Sequence, residues 1–431
     1  LFLLSLLSAG EGLGPFAGAW LTANPIRRYS PGELGMINAV QQALAVLSQP
    51  LLGKLVDVSK WKRSFIGLGS LFMAACTAVT VLMPHDYWLQ LVIQAPMAVG
   101  LVLVPLALNS LTLGTATAAS FTQQIALNNA GQHAGLVLSS AAMALCSLYG
   151  PKVSVQEHGE MKQVASPVWC MVPSVTALLA VAALGIVRFS KIDHQQAAGL
   201  GSLEIGPSSE AGGRAEAQGL PLQMPAFWLS LLLAFLFNFA NMAQLQLLVQ
   251  EAASLLPSTQ VIPYTSLAQI VAHFGMMCTA VLAGRAADRI GRKPLLLVAC
   301  FTVTFRALVT AMTIFWWIQR GGTPWLGLLP CEGLDGVDAG LWGVLVVLVA
   351  RDISEGTGCF GLVLSCLQAA FGAGGIASSV VAGVMADRYG FASAFLPLAA
   401  AGVAASIVAG FIPETAGTGS SKTQTSHSPR I

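Results

Sequence analysis

Five charged side chains stand inside long apolar runs: Glu11, Arg306, Glu332, Asp335 and Asp338. An ionisable group in such a place is costly unless it faces a polar cavity or a partner, so each is a candidate for proton exchange or for holding a polar solute. The three carboxylates of the fourth quarter recur every third residue. At about 100° per residue they spread over about 120° of one helix, with Trp342 inside the same arc. One face of that helix is therefore acidic and partly aromatic. Asp335 is the better embedded carboxylate and the first choice for a residue that takes up and releases a proton, with Asp338 second; the alternative is a structural pair with Arg306. Glu332 is expected near the outer surface, within reach of water.

Uncharged polar side chains in other apolar runs extend the set: Asn109; Asn128, Asn129, Gln132 and His133; Asn238 and Asn241, on one helix side by their i, i+3 spacing, with Gln244 and Gln246; and Gln269 with His273. These could bind a polar solute or relay protons, histidine being the side chain that titrates nearest neutrality. Equally, amides bridge packed helices and a histidine can be a hydrogen-bonded packing residue.

A denser charged group, Gly284-Arg-Ala-Ala-Asp288-Arg289-Ile-Gly291-Arg292-Lys293-Pro294, separates two apolar runs. A carboxylate placed where a helix leaves a membrane accepts bonds from Arg or Lys and from the positive N-terminal end of an adjoining helix. Such a contact would hold two parts of the chain together at one membrane face; the plainer alternative is a set of membrane-surface anchors. Gly284 and Gly291 are expected to allow the tight turn between helices, and Pro294 suits a first helical turn. A shorter echo, Gly53-Lys-Leu-Val-Asp57 with Lys60, Lys62 and Arg63 close behind, lies 231 residues earlier.

The elements that carry these residues follow from composition. Only 9% of residues are charged and 55% hydrophobic, with mean hydropathy +0.72, against roughly 25% charged in an ordinary soluble domain. Such a chain belongs in lipid. Twelve apolar runs approach the ~20 residues that a helix needs to cross the hydrocarbon core: 2–23, 34–56, 64–83, 88–109, 122–149, 168–188, 226–249, 262–283, 295–318, 324–350, 361–386 and 392–412. They are too long and too uniformly apolar for the alternating strands of a membrane barrel. The first run exceeds the ~7–15 residues of a signal-peptide core and is read as a retained span of a trimmed sequence. Forty-four glycines suit close helix packing in a bilayer. Eight cysteines, with no C-x-x-C, read as small buried hydrophobes rather than disulfides or metal ligands.

With both termini in the cytoplasm, Lys and Arg divide 14 to 6 in favour of the cytoplasmic loops, with Arg306 inside a span; that excess sets the expected orientation. Residues 190–222, rich in Gly, Ala and Ser, read as a flexible linker. The expected organisation is a six-helix half over 1–189, a cytoplasmic linker over 190–222, a second six-helix half over 223–412 and a cytoplasmic tail over 413–431. The offset of 231 relates the two charged groups, and an offset of 240 aligns Gly135 with Gly375, Ser139 with Ser379 and Tyr149-Gly150 with Tyr389-Gly390. Internal duplication of this kind is a transporter trait.

The spacing Gly284-x-x-x-Asp288-Arg289-x-Gly291-Arg292-Lys293 resembles the loop signature between the second and third helix of a half in the major facilitator superfamily, and the likeness covers essentially the whole chain. The first-half copy is partial, keeping Gly53, Asp57 and Arg63 but with Val58 and Lys60 at signature positions. A third fragment, Gly383-x-x-Ala-Asp387-Arg388-Tyr-Gly390, is separated by three crossings from the second and must lie on the opposite face. The resemblance implies an all-α membrane protein of twelve transmembrane helices in two pseudo-symmetric halves, with Asp57 and Asp288 as latch residues of a cytoplasmic gate that also includes Arg289, Arg292 and Lys293. It further implies a central cavity lined by helices one, four, seven and ten, to which Glu11 and the acidic face would belong.

The resemblance also implies a monomeric secondary active transporter in the plasma membrane, moving a small organic solute by alternating access, with protons as a coupling partner, no cofactor, no metal and no nucleic acid. Arg351-Asp352 and Glu355-Gly-Thr-Gly358 resemble a loop of drug-efflux-like members. Pro413-Glu414-Thr415 matches a sugar-porter signature after the last helix, whereas Arg188-Phe-Ser-Lys191 replaces the corresponding one at mid-chain. A mostly apolar cavity lining would suit amphipathic or small organic solutes, and few basic residues within spans disfavour organic-phosphate exchange. Two rival readings stay open: a transporter-shaped receptor or regulator without net flux, and a sugar or metabolite uniporter. No Gly-x-Ser-x-Gly, His-Glu-x-x-His or nucleotide-binding loop supports an enzyme or an ATP-driven pump.

Overall fold

A computed structural model describes residues 31–157, 160–165, 175–183 and 224–414, apart from 60, 84, 117, 257 and 356. Its long elements are helices, because a helix satisfies its own backbone N–H and C=O groups where no water can. In chain order they are α1 (Pro31–Val58), α2 (Lys62–Leu82), α3 (Tyr87–Val92), α4 (Gln94–Thr115) and α5 (Ala118–Tyr149). After a β-hairpin come a helical stretch at 175–183, α6 (Pro225–Leu255), α7 (Ser258–Ile290), α8 (Arg292–Trp316), α9 (Pro324–Gly327), α10 (Leu329–Ser354), α11 (Phe360–Tyr389) and α12 (Phe391–Phe411).

Ten of these helices occupy ten of the expected apolar runs, most of them extending a turn or two past the predicted ends. The run at 2–23 lies outside the described residues, as do the linker 190–222 and the tail from 415, and the run at 168–188 is described only at 175–183. Eight elements among the described residues are long and apolar enough to cross a membrane. Helices α1 and α5 have the length, 28 and 32 residues, with more polar sequences.

Two features were not legible as apolar runs. Strands β1 (Lys152–Glu157) and β2 (Glu160–Ala165) pair antiparallel, Lys152 opposite Ala165. The fourth run breaks at Ile93 into α3 and α4: Asp86 accepts the Leu89 N–H at 3.1 Å and starts α3, while the Gln94 side chain donates to the Gln90 carbonyl across the break at 2.8 Å.

Packing is organised around two contacts between the N-terminal and C-terminal parts of the chain. Helix α1 lies along α11, and α5 lies along α7. Around them α6 packs on α11 and α12, α7 on α10, and α8 on α12 and α10. The α7–α10 contact is close because two glycines face each other: a Cβ on Gly336 would sit 2.6 Å from the Gly275 Cα. Helix α10 is the most enclosed spanning helix, so its carboxylates must find partners inside the protein.

Candidate functional site

A cavity of about 400 Å³ opens among α1, α4, α5, α6, α10 and α11. Of the candidates named from sequence, Asn109, Asn128, Asn129, Gln132, His133, Asn241 and Trp342 line it. Asn238, His273, Asp335 and Asp338 do not, and Glu11 lies outside the described residues. Sequence reasoning passed over Gln49 of α1 and Gln368 of α11, which face the cavity from helices not expected to line it. The lining is richer in amides than expected. Gln49 shares its apolar run with Asn38, Gln41 and Gln42, and helix periodicity alone does not say which of them faces a cavity.

Three aromatic rings form one wall. Trp342 stacks on Phe237 with centroids 4.4 Å apart and planes 11° apart, and on Phe371 at 5.8 Å and 12°. Asn128 is already committed within the fold, accepting from Gln124 and donating to Thr112, each at 2.9 Å. Asn238 donates to the Phe371 carbonyl at 2.7 Å and so ties α6 to α11 beside the aromatic wall. His133 of α5 stacks on His273 of α7, centroids 5.4 Å apart, across the α5–α7 contact.

The carboxylates Asp335 and Asp338 of α10 meet Arg306 of α8 beside the cavity but are not among its lining residues. Arg306, fully buried, forms an ion pair with Asp335 and lies 3.8 Å from Asp338. Its Nε donates to Gln244 at 2.9 Å and its Nη2 to the Asn241 Oδ1 at 2.5 Å. Of the two readings offered for Asp335, the pair with Arg306 is the arrangement present. Glu332 departs from expectation: it is 1% exposed, not wet, because Leu328 and Cys331 beside it pack with Tyr264 into an apolar cluster. Asn241 is the residue common to both regions, lining the cavity while accepting from Arg306.

At one end of the bundle the charged groups of the two signature segments meet helix starts. Asp57 at the end of α1 accepts the backbone N–H groups of Gly361 and Leu362 at 2.7 and 2.8 Å, within the first turn of α11. That is the favourable place for an anion, where N–H groups lack helical partners. Asp288 near the end of α7 accepts the Thr122 hydroxyl of α5 at 2.9 Å and pairs with Arg292 at 3.5 Å. Arg292 also pairs with Asp352 at 3.2 Å. Glu414 accepts the Arg292 and Lys293 N–H groups at 2.9 and 3.1 Å, capping α8.

The glycines of the signature divide their work differently from expectation. Gly291, at φ +91°, makes the one-residue turn between α7 and α8. Gly284 is no turn residue: it lies inside α7, and a Cβ there would strike the Ala126 side chain of α5. Gly53 likewise stands inside α1, where a Cβ would overlap Ser365 of α11. Both small residues set how closely the helices approach. Gly390, at φ +82°, repeats the Gly291 turn between α11 and α12.

Long apolar helices around a polar cavity, with buried charge beside it, define a membrane transporter architecture. The sequence profile of the Major Facilitator Superfamily matches residues 2–358, and the chain belongs to that family. It is therefore an integral, multi-pass membrane protein of the MFS transporter type. An uncharacterized MFS-type transporter of Mycobacterium tuberculosis is 28% identical over 397 residues, covering 92% of this chain and 87% of the relative. Among solved structures, the proton:xylose symporter XylE bound to 6-bromo-6-deoxy-D-glucose matches with TM-score 0.68 at 14% identity, over 96% of this chain and 95% of that one. The transporter FucP in its outward conformation matches with TM-score 0.65 at 15% identity, over 96% and 98%. At such identities these two likenesses show the fold.

Proposed function

We propose that the protein is a secondary active transporter that carries a small organic solute through the central cavity by alternating access, coupled to protons. The observation that carries the reading is the set of charged contacts closing one end of the bundle across both inter-part helix pairs, Asp57 on α11 and Asp288 on α5. A cavity closed at one end by contacts that can be broken reversibly is what a rocking mechanism requires. In this reading residues 1–189 and 223–412 are two six-helix halves, twelve spans in all, joined by a cytoplasmic linker over 190–222 and followed by a tail over 413–431. The offsets of 231 and 240 residues support it, since they exchange α1 with α7 and α5 with α11, and so exchange the two inter-part contacts.

The proton site is assigned to the Arg306 cluster. One guanidinium faces Asp335 and Asp338, with Glu332 a turn away on the same helix face. The carboxyls outnumber the cation that could neutralise them, and the surplus is where a proton can be taken up and released. While Arg306 balances Asp335 the surplus proton falls on Asp338 or Glu332, and Asp335, still the first candidate, takes it up when that pair opens. Asp57, Asp288, Arg292 and Glu414 form the gate in this reading, with Arg289 and Lys293 on its basic surface; the protein works as a monomer in the plasma membrane.

The experiment is uptake into proteoliposomes, with a panel of radiolabelled neutral, cationic and anionic small solutes, under an imposed pH gradient. Accumulation that collapses with a protonophore supports the reading. Flux indifferent to the gradient leaves a uniporter, and binding without any flux leaves a receptor.

A further inference from the structure

We infer that the cavity takes an uncharged, polyhydroxylated ring of monosaccharide size; the inference rests on the transporter reading above and names its substrate class. Its volume of about 400 Å³ lies near the small end of the ~300–1,000 Å³ typical of small-molecule pockets, which suits a single ring better than a lipid-like or large amphipathic molecule.

Charge is the first discriminator. Among the described residues that line the cavity, none is Asp, Glu, Lys or Arg, and His133 is the one titratable group. Against this described lining an anion or an ammonium would lose its hydration with no counter-charge to replace it, a heavy cost in a dehydrated site. The nearby carboxylates offer nothing here, because Asp335 and Asp338 face Arg306 on the far side of Asn241.

Hydrogen bonding is the second. Gln49 Oε1, Asn129 Oδ1 and His133 Nδ1 are buried on the cavity wall and have no hydrogen-bond partner. Each costs free energy while it stays unpaired. Amide orientations are interchangeable, so what these positions call for is a ligand able both to donate and to accept, as a hydroxyl does. They stand on α1 and α5, whereas the aromatic rings stand on α6, α10 and α11.

That wall is the third. Trp342, backed by the fully buried Phe237, and Phe371 border the cavity with nearly parallel rings, and accessible aromatic surface attracts weakly positive C–H groups. A solute that carries both hydroxyls and a C–H face could satisfy the amides and contact the accessible ring surface at once. Simple apolar solutes would leave the three polar atoms unpaired, and a flexible linear polyol would match them only by losing more conformational freedom.

The test uses the purified full chain in nanodiscs and in proteoliposomes, with Trp fluorescence and thermal shift as binding readouts. The probes are D-glucose and D-xylose as neutral rings, D-glucuronate and D-glucosamine as charged versions of the same frame, and tetraphenylphosphonium as an apolar cation. Neutral rings are expected to bind, with the charged sugars at least about tenfold weaker. Asn129→Ala and Gln49→Ala should each weaken neutral binding, Trp342→Ala should abolish it and Trp342→Phe should retain part of it.

Tighter binding of glucuronate, glucosamine or tetraphenylphosphonium, or no neutral ring binding at high millimolar concentration, overturns the substrate class. The transporter reading fails separately: a neutral ring that binds but shows no counterflow sinks transport and leaves the class intact, while flux of a charged solute does the reverse.

Discussion

Arg306 decides the energetics of the C-terminal part because it is a fully buried cation with its partners fixed on two neighbouring helices. Breaking a buried pair by deleting one member costs roughly 3–5 kcal/mol, since the other charge is left without a partner. Arg306→Met is therefore expected to lower unfolding stability by about that amount in detergent, measured by chemical denaturation. Asp335→Asn keeps the shape and leaves Asp338 to balance Arg306, so it should cost less than Arg306→Met, yet lose proton-driven uptake while sparing solute counterflow. Unchanged pH dependence of uptake in Asp335→Asn would remove Asp335 from the coupling.

Asn241 permits a sharper separation, because its side chain both borders the cavity and accepts from Arg306. In Asn241→Ala the number of protons moved per solute should fall, by comparison of proton and solute fluxes, with binding weakened only modestly. Equal losses of binding and flux with unaltered stoichiometry would make it an ordinary lining residue. The sequence showed which residues are costly in lipid, and it offered the Arg306 pair as one of two readings. It did not place Glu332 in a dry site, because Tyr264 on α7, which completes the apolar cluster there, is too distant in sequence to register in a helical pattern.

At the scale of helices, the signature segments act through approach as much as through charge. Gly53 and Gly284 each leave room for a side chain of the facing helix, Ser365 and Ala126 respectively. Overpacking such a contact costs about 1–3 kcal/mol, and here the strain falls on the contact that a rocking motion would open. Gly284→Val should therefore separate α5 from α7 at the Asp288 end and speed maleimide modification of cysteines introduced there, with Gly284→Ala intermediate. Labelling equal to the unsubstituted protein would show that this contact does not limit opening.

The motif was readable as a motif, and its glycines were assigned to a turn; only Gly291 is one. Nothing in the spacing distinguishes a helix-interior glycine facing a neighbour from a helix-ending one, since that depends on a partner more than 150 residues away. The break at Ile93 and the hairpin after α5 escaped for a related reason: apolar-run length reports spanning capacity, not where capping side chains such as Asp86 interrupt a helix.

For the molecule as a whole, the question is whether the two charged contacts act on one equilibrium or on two local structures. They are unequal. Asp57 accepts two backbone N–H groups at the start of α11, and loss of such a cap costs ~1 kcal/mol. Asp288 is about half exposed, with one hydroxyl donor and one pair at 3.5 Å, so its loss should cost nearer ~0.5 kcal/mol. The partial copy of the signature thus makes the stronger contact, an order that motif completeness would have reversed. If both contacts hold the same end of one rocking body, their free energies add and their effects on the open population multiply. Modification of Cys359, which sits at the start of α11 beside the Asp57 contact, reads that population by peptide mass. Asp57→Ala should accelerate it about fivefold and Asp288→Ala about twofold, and the double variant about tenfold. A double variant no faster than Asp57→Ala alone would mean that each aspartate steadies only its own helix end, and the single-body motion would have to be abandoned. Asp288 lies on the other inter-part contact, but Phe121, next to its partner Thr122, packs edge-on against Phe360 beside Cys359; the comparison is therefore repeated in Phe121→Ala, where that short route is cut and the multiplication should persist.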